Sequence, residues 1–219
     1  MRLLDVHARY GRRAPWVLRG VDVELRAGET VVLEGRNGSG KSTLLRVMAG
    51  LLPAGRGRVS GRPAPVGWVP ERLPVGRPFT VRRYLVAMAR VQGIAADEAL
   101  SRIDTLASRL HLDEFLDTAL ASVSQGTRRK VGLTQALLRR PGLLVMDEPW
   151  EGLDASSQDE LPALVAEVTA AGGSCVLTDH RGRAGDLGPT RRWTLEAGRV
   201  HEGSADRADR ATEDVRSEP

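Results

Sequence analysis

The stretch GRNGSGKST, residues 35–43, constrains the fold of this chain more than any other part of its sequence. It follows an apolar run, Thr30–Leu33, that is typical of a buried β-strand, and it leads into Ser42–Ala49, which has helical spacing. Its three glycines let the backbone adopt positive φ and approach an anion closely. A strand that passes through such a loop into a helix predicts an α/β fold with a phosphate-binding loop.

Lysine at position 41 supports this interpretation. Lys41 and Lys130 are the only lysines among 32 basic residues, and all the others are arginines. A loop lined by backbone N–H groups suits a compact charge on a slim stem better than a planar guanidinium. The helix N-terminus adds a positive dipole end, and the Ser42 hydroxyl can ligate Mg²⁺. We therefore predict that the phosphates of a nucleotide bind to Gly35, Arg36, Asn37, Gly38, Ser39, Gly40, Lys41, Ser42 and Thr43.

Two further apolar runs end at polar residues suited to phosphate chemistry. Leu143–Met146 leads into Asp147-Glu148, and Ser174–Thr178 leads into Asp179-His180. Because ligands of open parallel sheets bind beyond the carboxyl ends of the strands, we expect these ends to converge on one crevice. Asp147 is predicted to hold Mg²⁺, and Glu148 to polarise the water that attacks the γ-phosphate.

Taken together, these motifs resemble the nucleotide-binding subunit of ABC transporters over roughly residues 3–203. Val123-Ser124-Gln125-Gly126-Thr127 is similar to the family signature, usually LSGGQ, although Gln125 replaces its first glycine. Gly152-Leu153-Asp154 resembles the D-loop. The remaining likenesses are the adenine-stacking aromatic at Tyr10, the switch histidine at His180, and Glu71 where the family usually has glutamine.

The resemblance implies two cofactors, ATP and Mg²⁺. Under it the catalytic residues are Lys41, Glu148 and His180, and the metal ligands are Ser42, Asp147 and Glu71. The further ATP contacts are Tyr10, Glu71, Ser124, Gln125, Gly126 and Asp154. The implied assembly is a head-to-tail homodimer or heterodimer with two ATP molecules in its seam, bound to an integral-membrane permease. The subunit is then expected in the cytoplasm, at the inner face of the membrane.

The fold class implied is an α/β P-loop NTPase core with a mixed, mainly parallel sheet. An N-terminal antiparallel β subdomain and an inserted helical subdomain, about residues 72–140, complete a single domain over 1–203. Within the insertion we predict a helix capped by Thr80 that stops at Gly93, and a second capped by Asp97 that runs through Leu110. A third is predicted to begin near Ser124 or Thr127 and to run to Arg140. Pro53–Gly61 is predicted to form turns, and the polar tail 204–219 to be disordered.

The amino-acid composition limits the classes of partner that are expected. The net charge of +4 comes from interspersed signs, so no nucleic-acid partner is expected, and Arg128, Arg129 and Lys130 are predicted to form a solvated helix face. The single cysteine, Cys175, lies in an apolar run and is predicted to be a core residue. No run approaches the roughly 20 apolar residues that span a bilayer.

Three alternatives to transport stay open from the sequence. A non-transport ABC ATPase that acts on a protein assembly would carry the same motifs. A small-molecule kinase would use the same phosphate loop but would not need the signature at 123–127. A regulatory module would bind ATP without hydrolysing it, although Glu148 and His180 count against this interpretation.

Overall fold

A computed structural model describes residues 1–73, 79–179, 182–188 and 191–203. The predictions for His180 and for the tail 204–219 lie outside these ranges. Within them, the strands are β1 Arg2–Ala8, β2 Leu18–Glu24, β3 Thr30–Glu34, β4 Arg56–Ser60, β5 Val66–Val69, β6 Leu143–Met146, β7 Ser174–Thr178, β8 Arg191–Glu196 and β9 Arg199–Gly203. The α-helices are α1 Lys41–Ala49, α2 Val81–Val91, α3 Ala96–Arg109, α4 Gln125–Leu137 and α5 Ala155–Ala170. Two short 3₁₀ helices span Asp113–Phe115 and Arg183–Leu187.

The central sheet has the order β5-β6-β7-β3-β8-β9, and all its neighbouring pairs are parallel except β8 with β9. The register aligns Leu33 with Thr178, and Met146 with both Leu177 and Val69. The carboxyl ends of β3, β5, β6 and β7 therefore meet at one edge. This confirms the predicted convergence of the three apolar runs and the mixed, mainly parallel sheet.

Alternation along the buried strands explains why these runs contain so few polar residues. Val31 and Leu33 of β3 pack on one face with α1 and the antiparallel sheet, while Val32 packs on the other face with α5. A strand that is covered on both faces buries every side chain, so its sequence is continuously apolar. Cys175 follows the same rule and is fully buried, as predicted.

A second sheet of order β2-β1-β4 is antiparallel and lies at the N-terminal side, as the family resemblance implies. Its third strand corrects the sequence prediction, because Arg56–Ser60 lies inside the segment predicted to form turns. The strand has almost no buried face, and only Val59 is half-buried. Backbone pairing with β1 therefore holds β4 in place. Because such pairing needs no buried side chains, the sequence shows no apolar alternation there.

The helical segment agrees with prediction in type and differs at its ends. Thr80 caps α2 by accepting a hydrogen bond from the Arg83 N–H. Helix α3 begins after Ala95, so Asp97 lies in the first turn and does not cap it. Helix α4 ends at Leu137, three residues before Arg140. Within the described ranges, no helix combines the length and the apolar character needed to cross a bilayer.

Candidate functional site

The phosphate loop connects β3 to α1, and two of its glycines are required by close packing. Gly35 has φ of +146°, and a Cβ there would lie 2.5 Å from the Leu195 carbonyl oxygen. Gly40 has φ of +108°, and a Cβ there would lie 2.8 Å from a Val17 methyl group. A side chain at either position would push the loop away from the strands behind it. The loop conformation therefore depends on glycine.

Lys41 bridges two backbone carbonyl groups of the phosphate loop. Its Nζ donates to the Gly35 carbonyl oxygen at 2.7 Å and to the Arg36 carbonyl oxygen at 3.2 Å, and the residue is buried. Burial lowers the pKa of Lys41, and the nearby Glu148 and Asp147 carboxylates oppose that shift. Helix α1 begins after Gly40 without a side-chain cap, so no side chain competes for its first N–H groups. A phosphate fits this arrangement of amides, glycines and one ammonium group.

The acidic pair follows β6 and is held by β7. The Thr178 hydroxyl donates to Asp147 Oδ1 at 2.9 Å and accepts from the Glu148 N–H at 2.8 Å. Asp147 is buried, and Glu148 has φ of +51°, a left-handed conformation that is strained for a glutamate. Strain of this kind concentrates at functional sites, where the surrounding structure holds it. Thr178 thus fixes both members of the predicted hydrolytic pair.

Tyr10 lies against the first turns of α1. Its hydroxyl is 3.1 Å from Thr43 Oγ1 and accepts from Arg46 at 2.7 Å, and the residue is 55% exposed. The structure therefore places an exposed aromatic side chain beside the first turn of α1. Stacking on adenine stays a prediction.

The signature segment, residues 123–127, forms the N-terminus of α4. Ser124 caps the helix, and its hydroxyl accepts from the Thr127 N–H at 3.0 Å. Gly126 packs against the D-loop, since a Cβ there would lie 2.2 Å from the Gly152 carbonyl oxygen. Gln125 is exposed. This glycine therefore has a structural role within the subunit, in addition to any role toward a phosphate.

The predicted solvated face of α4 is wrong for two of its three residues. Arg129 and Lys130 are 5% and 4% exposed. Lys130 Nζ donates to Asp154 Oδ2 at 2.6 Å and to the His111 carbonyl oxygen at 3.3 Å. The rarity of lysine in the sequence could have indicated that Lys130, like Lys41, has a specific buried role. The only two lysines of the chain are both buried and both bind oxygen atoms of the predicted machinery.

Asp154 ends the D-loop and caps α5. It accepts from the Ser157 N–H at 2.9 Å as well as from Lys130. Burial on its own would raise the pKa of Asp154, but the hydrogen bonds from Lys130 and Ser157 outweigh it and hold the pKa well below the usual range. This carboxylate therefore joins α4 to α5 through an ion pair. Its predicted contact with ATP stays a prediction.

Magnesium suits the oxygen donors that were predicted for it. Hydroxyl and carboxylate oxygens are the ligands that Mg²⁺ prefers, with substrate phosphates and water completing the octahedron. Asp147 is buried at the strand edge, and Glu71 lies two residues after β5 and is exposed. Among the described residues, no group of three or more His, Cys, Asp or Glu side chains could hold a metal by itself. The site fits a metal that arrives with a nucleotide.

Trp150 is 3% exposed and packs in the core cluster on the α5 face of the sheet. Its role is packing beneath the segment that connects the acidic pair to the D-loop.

Comparisons with known proteins agree on one family. The family model described as ABC transporter matches residues 18–151. The chain is 38% identical over 181 residues to the zinc import ATP-binding protein ZnuC of Cereibacter sphaeroides, covering 81% of this chain and 72% of that protein. It spans 56% and 66% of the length of two ZnuC proteins from Pseudomonas savastanoi and Pseudomonas putida.

A relative of similar length is the cytochrome c biogenesis ATP-binding export protein CcmA of Rhodobacter capsulatus. It is 36% identical over 196 residues, which are 87% of this chain and 88% of that protein. Among solved structures, an ATP-binding subunit of an ABC transporter superposes with a TM-score of 0.84 at 28% identity. That match covers 94% of this chain and 90% of the other.

Proposed function

Since the chain belongs to the ABC transporter family, we propose that it binds and hydrolyses ATP to power transport through a separate membrane subunit. One observation carries this proposal. Lys41 is buried in a glycine loop beside an acidic pair, and Thr178 holds that pair at the next strand end. ATP hydrolysis needs a phosphate cradle and a water-polarising carboxylate at one place, and these residues supply both.

Within the subunit, the phosphate loop binds the triphosphate through its backbone N–H groups and Lys41. Lys41 exchanges its two carbonyl partners for phosphate oxygens, which are stronger acceptors because they are charged. Tyr10 stacks on the adenine ring. Ser42 and Asp147 would hold Mg²⁺, with Glu71 beside it directly or through water, and the bound ion would supply positive charge that offsets the charge of the phosphates.

Hydrolysis is assigned to Glu148, assisted by His180. The Thr178 hydroxyl accepts from the Glu148 N–H, which helps to hold the backbone of this residue in its strained conformation at the end of β6. From this position the Glu148 carboxylate accepts a proton from the attacking water.

The signature segment acts on a second copy of the cassette. Ser124, Gln125 and Gly126 begin a helix, whose N-terminus favours an anion. In a head-to-tail dimer, this end faces the γ-phosphate bound by the other subunit, and Asp154 lies beside the seam. Binding energy for closure is available only while the γ-phosphate is present, so ATP closes the dimer and hydrolysis releases it.

A permease completes the transporter. We propose that the cassette lies in the cytoplasm, at the inner face of the membrane, bound to that permease. Relatives named for zinc import and for cytochrome c biogenesis export match at nearly equal identity. The direction and the substrate of transport are therefore properties of the membrane partner, which touches the cargo.

Two variants test the proposal. Glu148→Gln should keep ATP affinity, form an ATP-dependent dimer on gel filtration and release phosphate roughly 100-fold or more slowly. Lys41→Ala should weaken ATP binding roughly tenfold or more, because a charged hydrogen-bond donor is lost. Wild-type hydrolysis by Glu148→Gln would remove that residue from its role, and unchanged nucleotide affinity in Lys41→Ala would refute the central assignment.

The partner is tested by purification from detergent-solubilised membranes. Recovery of a multi-helix membrane protein with the cassette supports transport. Recovery of a water-soluble complex alone would instead identify an ABC ATPase that acts on a protein assembly, and a phosphorylated small-molecule product would identify a kinase.

A further inference from the structure

Arg129 is a buried cation whose hydrogen bonds within the described part of the chain go to backbone carbonyl oxygens. Its Nη1 donates to the carbonyl oxygens of Pro70 and of Asp147, the latter at 3.1 Å, and its Nε donates to that of Glu151 at 3.5 Å. These acceptors are 59, 18 and 22 residues away along the chain. One side chain of α4 therefore joins two distant segments, the one that follows β5 and the one that runs from the acidic pair to the D-loop.

Both segments carry part of the predicted ATP machinery. Pro70 directly precedes Glu71, Asp147 is the predicted metal ligand, and Glu151 directly precedes the D-loop. Arg129 itself lies five residues after Ser124 on the helix that presents the signature segment. The guanidinium thus connects the hydrolytic edge of the sheet to the surface that is offered to a second subunit.

The charge around Arg129 explains why a cation is tolerated there. Burial lowers the pKa of Arg129, and the carboxylates of Glu151, Asp147, Glu71 and Glu148 oppose this shift. Glu71 adds a negative charge where the family usually has a neutral glutamine. The Glu71 carboxylate is therefore one of four negative charges that favour the charged form of Arg129.

Only arginine has the geometry for this contact. Its planar group presents five N–H donors in a fixed fork, so it can reach several carbonyls at once, whereas lysine offers a single charged point. A buried carbonyl that loses its donor stays desolvated, so replacement by a shorter or neutral side chain would let α4 and the two segments move apart.

We propose that Arg129 is a positioning residue for ATP hydrolysis, which holds the signature helix in register with Asp147-Glu148 through the carbonyls of Pro70, Asp147 and Glu151. The inference rests on the proposed function. Under this proposal, the hydrolytic pair and the signature segment of the same subunit move as one unit, although the signature segment faces the ATP of the partner subunit. Arg129 therefore affects turnover and cooperativity between the two ATP sites, and leaves the phosphate loop itself intact.

The experiment compares Arg129→Lys and Arg129→Gln in the full-length chain with Arg139→Gln. Arg139 is an exposed arginine just beyond the same helix and serves as the matched control. For each protein, thermal unfolding gives the folded fraction, a fluorescent ATP analogue gives the affinity, and phosphate release against ATP concentration gives kcat, KM and the Hill coefficient.

We expect Arg129→Lys and Arg129→Gln to bind the analogue with parental affinity while kcat falls roughly 10- to 100-fold. The Hill coefficient should fall toward one, and Arg139→Gln should match the parent. Parental kcat and cooperativity in a folded Arg129 variant would overturn the proposal. So would equal losses of affinity and kcat that follow the folded fraction, or failure of both variants to fold, because each assigns Arg129 to stability alone.

Failure of the proposed function gives a different pattern. In that case the parent itself releases no phosphate, or Lys41→Ala binds the analogue as the parent does, whatever residue stands at position 129.

Discussion

Two helix N-termini of this chain are predicted to bind phosphate, and they are built in opposite ways. The phosphate loop before α1 has no side-chain cap, and its lysine binds the loop's own carbonyls. The signature segment before α4 is capped by Ser124 and is supported by the D-loop at Gly152. The glycines and the lysine of the first site come from one continuous stretch of sequence, which packs on Val17 and Leu195. The second depends on residues that come together only in the folded chain.

This difference in construction suits the phosphate loop to nucleotide binding and the signature segment to the control of turnover. We expect a loop whose lysine bridges its own carbonyls to keep its shape when the signature side moves. The signature helix is held by the Lys130–Asp154 ion pair and by carbonyl contacts, so we expect it to move with the segments that it touches. We therefore expect changes at the phosphate loop to abolish nucleotide binding, and changes at the signature side to alter turnover while binding persists.

The largest expected effect comes from Gly35→Ala, which places a side chain in the phosphate loop. The new Cβ would meet the Leu195 carbonyl at 2.5 Å in a backbone with φ of +146°. We expect ATP binding to be lost and the free energy of unfolding to fall by at least about 2 kcal/mol. Titration with a fluorescent ATP analogue and urea denaturation measure the two effects.

Two other glycines are controls for this change. Gly93 has φ of +73° and open space where a Cβ would stand, so Gly93→Ala should cost about 1 kcal/mol and leave ATP binding unchanged. Gly126→Ala would clash with Gly152 at 2.2 Å and should retain ATP binding while hydrolysis falls. If Gly126→Ala also abolished binding, the two regions would not be separable.

The same contrast explains what the sequence could predict. The phosphate loop, the strands that lead into it and the acidic pair depend on neighbouring residues, so their pattern is readable along the chain. Strand β4 and the buried positions of Arg129 and Lys130 depend on partners that lie far away in sequence. A charged residue on a helix predicts a solvated face unless its distant acceptors are known.

Asp154→Asn gives a smaller effect and tests the ion pair that supports the signature helix. It leaves the buried ammonium of Lys130 facing a neutral amide. Because the Asp154 side chain is 52% exposed, we expect a loss of about 1–2 kcal/mol, below the 3–5 kcal/mol typical of breaking a fully buried pair. ATP binding should persist and hydrolysis should fall.

The pH dependence of that loss identifies its source. The pKa of Asp154 is lowered in the folded state from an ordinary value of 3.8, so its stabilisation is complete above that pH and is lost as the pH falls below it. In urea unfolding, the parent should exceed Asp154→Asn by the same margin at pH 7 and pH 5, and the margin should shrink below pH 3.8. A margin that persists in acid would mean that packing, and not the charge, stabilises the D-loop.

The smallest expected effect distinguishes a cap that only stabilises from a cap that also meets a ligand. Ser124 and Thr80 each cap a helix by accepting a backbone N–H three residues on, so Ser124→Ala and Thr80→Ala should each cost about 1 kcal/mol of stability. Only Ser124 begins the helix that we propose to face the partner's ATP. Phosphate release should therefore fall in Ser124→Ala and stay parental in Thr80→Ala, with ATP affinity of the isolated subunit unchanged in both. Equal hydrolysis by the two variants would reduce Ser124 to a helix cap, and the response of the signature helix would then reside in Gly126, Lys130 and Arg129.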